Sequence, residues 1–449
     1  MPMTAAEQYF LELLNRARMD PGTEAVRQRV GLNEGLPSGP FGQIADRPQE
    51  ILAPQVQLDR AAENHSSWMA RTGTFSHEGS GGSTDISRVQ AAGYVLDRDG
   101  GWRVGENLAW SSGGASSPEA LMSRHFNTLW NSPQHRSNMI GGQDMSGGAF
   151  PTFNYREIGV AGVASGNGNY LTLDFAFAGS RHYITGVAYR DTDRDNFYSV
   201  GEAIGNVTFN VVGTGYDRSE AAGGYGVATR QTGEVTVRVT HANAMSEVKV
   251  NTGGGRNVKL DLEVDPATGA TLLSNAHLTL VRGPIADARL LGVEDRQLIG
   301  SAASNDLTGN AGHNTIKGMG GNDRLMTGAG NDTGYGGVGN DTIMGQGGND
   351  VLVGEAGRDV LSGGLGADRF VFHAGNGFDR ITDFARGQGD RLVLDDALWG
   401  NARLTAAQVV SRHADVGAGF VEFDFGPGEV LRLSGITSLT GLAAAIDII

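Results

Sequence analysis

From Gly300 to Val371 a nine-residue unit recurs without slipping, and no other feature limits the possible fold as tightly. Its clearest copies read GMGGNDRLM from Gly318, GGVGNDTIM from Gly336, GQGGNDVLV from Gly345, GEAGRDVLS from Gly354 and GGLGADRFV from Gly363. The fourth position is glycine. The sixth is Asp323, Asp332, Asp341, Asp350, Asp359 or Asp368, and the eighth is usually large and apolar, as in Leu325, Ile343, Leu352, Leu361 and Phe370. Glycine-rich turns tolerate positive φ and close backbone approach, and three strand residues follow with only the middle one pointing inward. Two units then make one coil, about 4.8 Å above the last. Aspartates eighteen residues apart stack along each edge, Asp323, Asp341 and Asp359 on one and Asp332, Asp350 and Asp368 on the other. Between 318 and 371 seven carboxylates face three arginines, so the stack repels itself unless a hard dication with oxygen ligands, Ca2+ above all, fills it. A flexible linker has no reason to keep an apolar residue every ninth place. Asn305 and Asn314 replace the aspartate in the units at Gly300 and Gly309, so a loose outer coil is expected, with ion sites starting near Gly318. Gly334 predicts a hole in the core of the Thr327 unit.

The repeat resembles that of the RTX family, proteins exported by bacterial type I systems, whose nonapeptides form a calcium-binding parallel β-roll. The following segment, ADRFVFHAGNGFDRITDFARGQGDRLVL, is similar to the cap after the roll in serralysin-type exported enzymes. The resemblance implies a roll over 295–371 and, over 372–449, a β-rich cap with an uncleaved export signal read by type I secretion machinery.

At 449 residues the chain has room for about three domains. A net charge of −15 and a pI near 5.1 argue against nucleic acid or an anionic membrane as partner. No apolar run approaches a transmembrane span, and MPMTAAEQYFLELL lacks a basic n-region and a cleavage site. With no cysteine, a secreted chain of this size depends on its core and on ions. Extracellular modules bind calcium at roughly 10⁻⁴ to 10⁻³ M, so the roll is expected to fold outside the cell.

Over residues 1–180, Thr4 and Glu7 form a capping box ahead of Phe10, Leu13, Leu14 and Ala17. A second helix is expected near Leu58–Arg71 and a third from the Ser117 cap to Pro133, with strands over 157–164 and 170–177, an α+β pattern. The segments LLNRAR, AENHSSWMA, FSHEG, GENLAW, LWNSPQHRSNMI, EIGVAG and LTLDFA occur in the order found in the CAP superfamily, which this region resembles. That implies an α-β-α sandwich with a cleft gathering two histidines and two glutamates. His77, Glu106 and His135 match three of those places, and Glu157 is the candidate for the fourth. Two imidazoles and a carboxylate suit Zn2+, with Glu106 a ligand or a base on bound water. Such groups also pair simply to satisfy one another, and Asn107 and Arg136 are placed to join that network. His65 and His125 read as core side chains.

Between 181 and 290, alternating segments such as YITGVAY, GNVTFNVVG and GEVTVRVT indicate an antiparallel β-sandwich. Within it, DTDRDNFYSVGE spaces Asp191, Asp193, Asp195, the Phe197 carbonyl and Glu202 as in an EF-hand calcium loop, with Asn196 where glycine is usual. Relatives of the head mostly bind sterols, lipids or proteins. A calcium-binding exported protein presenting that head to a lipid-like or protein ligand is therefore expected first, ahead of a metal-dependent hydrolase using His77, Glu106 and His135, or a structural, adhesive protein.

Overall fold

The computed structural model describes every residue except 1–2, 38–42, 98–100, 142–154, 266 and 268. Two compact units emerge, Met1–Met245 with Val250–Gly269, and Ser246–Lys249 with Ala270–Ile449. The boundary expected near residue 180 falls inside the first of them.

The first unit opens with α1 (Ala5–Met19), whose capping box forms as its sequence predicts: Thr4 N–H donates to Glu7 Oε2 at 2.7 Å, and Glu7 N–H to Thr4 Oγ1 at 3.3 Å. α1 stops before Pro21, as a proline there requires. That proline sits in the first turn of α2 (Pro21–Gln28), where a missing N–H costs nothing, and Asp20 caps the helix. Then follow β1 (Ala53–Pro54), α3 (Val56–Thr72), α4 (Asp85–Ala91), β2 (Trp102–Ser111), α5 (Pro118–Asn131), α6 (Pro133–Ile140), β3 (Glu157–Ser165) and β4 (Gly168–Ala178). The sheet order is β1-β3-β4-β2, parallel only between β1 and β3. Leu171, Leu173 and Phe175 pack on one side with Phe10, Leu14, Phe126 and Trp130 from α1 and α5. On the other side Ala176 and Ala178 meet Leu58, Ala61 and Val89 from α3 and α4, completing the α-β-α layers. At Gly159 a Cβ would lie 2.1 Å from the Leu58 carbonyl carbon, so α3 can touch β3 only over a glycine. The LLNRAR segment is a set of staples. Fully buried Arg18 donates to the carbonyls of Glu50, Met139 and Tyr155, and Asn15 brackets both backbone groups of Leu52.

The same unit continues into β5 (His182–Tyr189), β6 (Thr208–Val211), β7 (Gly215–Arg218), β8 (Gly224–Thr229), β9 (Glu234–His241), β10 (Ala244–Asn251), whose central residues belong to the second unit, and β11 (Val258–Asp265). β5 pairs antiparallel with β8 and β6 with β7 and β9, and Phe209 of β6 stacks on Tyr225 of β8 with centroids 3.6 Å apart. The β5–β11 pair departs from the antiparallel expectation by running parallel. Buried ion pairs join these strands to α1. Lys259 Nζ, fully buried on β11, contacts Glu12 and lies 2.8 Å from Asp261, and Gln8 donates to Glu12 at 2.9 Å.

The second unit is a parallel spiral. One sheet stacks Asp287–Leu290, Asp306–Thr308, Arg324–Ala329, Thr342–Gly347, Val360–Ser362, Phe378–Ile381 and Glu429–Ser434. The other stacks Leu278–Arg282, Gln297–Ile299, Thr315–Gly320, Thr333–Val338, Val351–Ala356, Arg369–Phe372, Arg391–Leu394 and Ile446–Ile448. The inward row Leu307, Ile316, Leu325, Ile343, Leu352, Leu361 and Phe370 is at most 1 % exposed, as the ninth-place pattern requires. Parallel pairing already exists between 271–274 and 287–290, so the coil at Gly300 is not outermost. The expected hole at Gly334 is filled, since a Cβ there would meet Ile343 Cγ2 at 3.0 Å and Leu352 Cδ2 at 3.4 Å.

Lys259→Met leaves Glu12 and Asp261 buried without their cation. Breaking a buried pair in this way costs about 3–5 kcal/mol, which a drop in the urea midpoint of the first unit's transition in the full chain will register.

Candidate functional site

Along the spiral each sixth-position carboxylate has two different jobs. Its Oδ1 accepts the N–H of the residue one coil earlier: Asp323 N–H to Asp341 at 2.7 Å, Asp332 to Asp350 at 2.8 Å, Asp341 to Asp359 at 2.7 Å, Asp350 to Asp368 at 2.9 Å. Its Oδ2 is buried and has no hydrogen-bond partner among the described residues, in Asp323, Asp332, Asp341, Asp350, Asp359 and Asp368 alike. The first glycine of the unit provides the room, because at Gly336 a Cβ would stand 2.4 Å from Asp341 Oδ2. Fifth-position side chains run a parallel ladder outside it, Asn340 N–H donating to Asn322 and Asn349 N–H to Asn331, both at 2.8 Å. Burial pushes Asp323 and Asp332 up to about 6 and Asp350 and Asp359 up to about 7. A column of oxygens so placed calls for cations in place of protons.

Two rungs have no counterpart in the nine-residue pattern. Asp359 N–H donates to Asp379 and Asp368 N–H to Asp390, both at 3.1 Å, across intervals of 20 and 22 residues rather than 18. Asp379 repeats the orphaned Oδ2 and is pushed up to about 8 by burial and then by Asp359. Asp390 is satisfied instead, its Oδ2 accepting Ala385 N–H at 2.8 Å. At the other end Asn305 gives its amide to the Ala286 carbonyl at 2.6 Å and needs no ion.

In the head, Glu106 on edge strand β2 is the hub. His77 Nδ1 lies 2.7 Å from its Oε1, Arg88 of α4 bonds its Oε2, and buried His65 stands 3.8 Å away while donating through Nε2 to the Ser76 carbonyl at 2.9 Å. The Glu106 hydrogen bond raises His77, whereas burial lowers His65. Directly across the ladder from Glu106 sits Asp174 of β4, fully buried with neither carboxyl oxygen hydrogen-bonded among the described residues. Burial, then the Glu106 charge, holds it well above the usual carboxylate range.

Of the four expected cleft residues, His77 and Glu106 meet directly. His135 turns its Nδ1 to Ser132 Oγ at 2.8 Å, and no group of three close ligands including His77, Glu106 and His135 exists among the described residues. Glu157 is engaged elsewhere, accepting from the hydroxyls of Tyr94 and Tyr183. Arg136 spends its guanidinium on the carbonyls of Leu32, Trp130 and Glu34, and Asn107 donates to the His135 carbonyl at 3.1 Å. His125 is a core side chain, lowered to about 4 by burial. Arg88 and Asp174 escaped sequence reasoning. The signal for Asp174 was an acid in LTLDFA, a strand whose other residues are apolar except Thr172.

In the loop after β5, Asp191, Asp193 and Asp195 bring ligand oxygens within 4.8 Å of one another. Asn196 adopts φ +59°, a left-handed conformation that asparagine tolerates in the usual glycine's place. Glu202 does not join them. Its Oε1 accepts from Thr192 N–H at 2.6 Å and its Oε2 from Ser199 N–H at 3.0 Å, clasping the loop, while the Phe197 ring lies under Arg16 at 4.9 Å.

Comparison with known families matches residues 299–333 and 335–370 to the RTX calcium-binding nonapeptide repeat and residues 11–149 to the cysteine-rich secretory protein family, CAP. The chain therefore carries a CAP domain and an RTX β-roll. Comparison with curated proteins finds no match. Solved structures similar to it include an outer surface protein from Borrelia burgdorferi, at 19 % identity over 28 % of this chain and 77 % of that one, TM-score 0.21. An extracellular protein containing an SCP domain from Bacillus anthracis shares 22 % identity over 39 % of this chain and 44 % of its own, TM-score 0.20. A subunit of the Azotobacter vinelandii mannuronan C5-epimerase shares 24 % over 35 % and 80 %, TM-score 0.14. Likeness at this level says nothing about what the CAP domain binds.

The RTX carboxylates fix a pH dependence. Their ion-free folded values lie above the unfolded value of 3.8, so protonation favours the folded coil, an advantage complete below about pH 4 and lost as pH rises through 6 to 8. In chelator, circular dichroism will show the roll better formed at pH 5 than at pH 8. In calcium the dependence inverts, with affinity falling and protons released on binding as pH drops from 8 towards 6.

Proposed function

We propose that the protein is exported and works outside the cell, where calcium folds its RTX roll and the CAP domain presents its cleft to a lipid-like or protein ligand. The observation that carries this reading is the file of buried, unbonded Oδ2 atoms. Asp323, Asp341, Asp359 and Asp379 would hold calcium along one edge and Asp332, Asp350 and Asp368 along the other, each ion supplying the positive charge and oxygen coordination the file lacks. Asp191, Asp193 and Asp195 form a further candidate calcium site, closed from behind by Glu202. Millimolar calcium outside cells matches such modules, and a cysteine-free chain of charge −15 suits a fold held by ions rather than disulfides. Export through the type I route, with the signal in 372–449, accords with the RTX repeats.

Within the CAP domain, Glu106 is already paired with Arg88 and His77, and His135 spends its Nδ1 on Ser132. That arrangement favours a binding cleft over a zinc hydrolase. A ligand would meet exposed His77 first, with Glu106 holding its ring and Arg88 holding Glu106.

Calcium titration of the full chain, followed by circular dichroism and by counting bound ions, tests the reading. Asp350→Ala removes both the ladder bond and an ion ligand, and will raise the calcium midpoint and lower the ion count, while Glu106→Gln leaves both unchanged. A roll that reaches the same dichroism in chelator at pH 8 as in millimolar calcium would defeat the proposal.

A further inference from the structure

The first unit contains a concavity that neither the cleft nor the roll uses. It encloses about 300 Å³ beside α1, the start of α3 and the β7–β8 hairpin. Among the described residues its charged lining is Asp59, Asp217, Glu220 and Arg181. A smaller space of about 160 Å³ shares Met3 and Asp59 with it and adds Glu7 and Glu63. Asp59 is the common wall. Only 7 % exposed, its side chain has a single hydrogen bond among the described residues, Oδ1 accepting Val160 N–H at 3.1 Å, which leaves Oδ2 for whatever enters. Asp217 is held in place by Gly226 N–H, 2.8 Å from its Oδ2, whereas Glu220 is exposed.

We propose that this pocket binds the basic end of an alkyl chain, a guanidinium or primary ammonium group, with its stem against Pro54, Val56 and the ring of Tyr225. The size is at the lower end for small-molecule pockets, enough for a side chain the length of arginine. A bare metal ion fits less well, because among the described residues only Asp191, Asp193 and Asp195 bring three such ligand atoms close together. An organic cation would meet two sides of the wall at once through charge-assisted hydrogen bonds, Asp59 from α3 and Glu220 from the hairpin. Burial disfavours the charged form of Asp59 and of Glu220, Glu7 and Glu220 adding to this at Asp59 and Asp217 at Glu220, while the positive charge of the amino terminus acts in the opposite sense on both, and an organic cation between the two acids would act in that same sense.

Isothermal titration of the full chain in calcium with Nα-acetyl-arginine amide, and separately with agmatine, tests this. Saturable binding is expected for at least one, and none for Nα-acetyl-citrulline amide, which has the same shape without the charge. Tighter binding of the arginine amide assigns the site to a peptide side chain, and tighter binding of agmatine to a free amine. Asp59→Asn keeps the acceptor for Val160 N–H and removes only charge, and Glu220→Gln changes an exposed residue. Each will weaken binding at least about tenfold, the loss of one charge-assisted contact, with the calcium transition unchanged. No saturable heat at millimolar ligand, equal binding of the citrulline amide, or parental affinity in both variants overturns the proposal. Because calcium folding is read in the same samples, its failure and the pocket's failure are told apart.

Discussion

The hydrogen bond from one sixth-position N–H to the carboxylate eighteen residues later governs the second unit. It locks each aspartate with one oxygen committed and the other buried and unanswered. Every coil thus inherits the charge problem of the coil before it, and the first glycine of each unit leaves the room that the buried Oδ2 occupies, because a Cβ there would overlap it. Asparagine solves the same problem without an ion, because its amide hydrogen reaches a carbonyl. The exchange of Asp for Asn at 305 and 314 therefore marks where the demand for cations stops.

In the CAP domain the logic is reversed. Glu106 is surrounded by donors, and the unanswered acid is Asp174 across the ladder, its carboxyl pushed upward by burial and then by Glu106 itself. The hydrogen-bonded glutamate thus stands on the edge strand β2, with the unbonded acid across the ladder from it on β4.

Much of this was legible in the amino-acid sequence. Local rules gave the Thr4 box, the Ser117 cap and the left-handed Asn196, because each depends on neighbours within a few residues. The inward row and the ladder followed from a strict period, and they faded where the period did. Asp379 and Asp390 extend the ladder after intervals of 20 and 22 residues, the additional residues going into turns while strand register is kept. Family resemblance named His77 and Glu106, which do meet. It could not foresee that Tyr94 and Tyr183 would occupy Glu157, or that Arg88 would arrive from α4, because these partners lie 18 to 63 residues away and no spacing announces them.

The triplet of Lys259, Glu12 and Asp261 has an evolutionary meaning as well as a structural one. Its acids belong to α1 and β11, nearly 250 residues apart in the chain, and neither is tolerable in that position without the one ammonium between them. A head joined to its neighbour by a flexible tether can be shuffled freely among proteins. This one has been soldered to the strands behind it, so any lineage that lost them would first have had to redesign the underside of its opening helix.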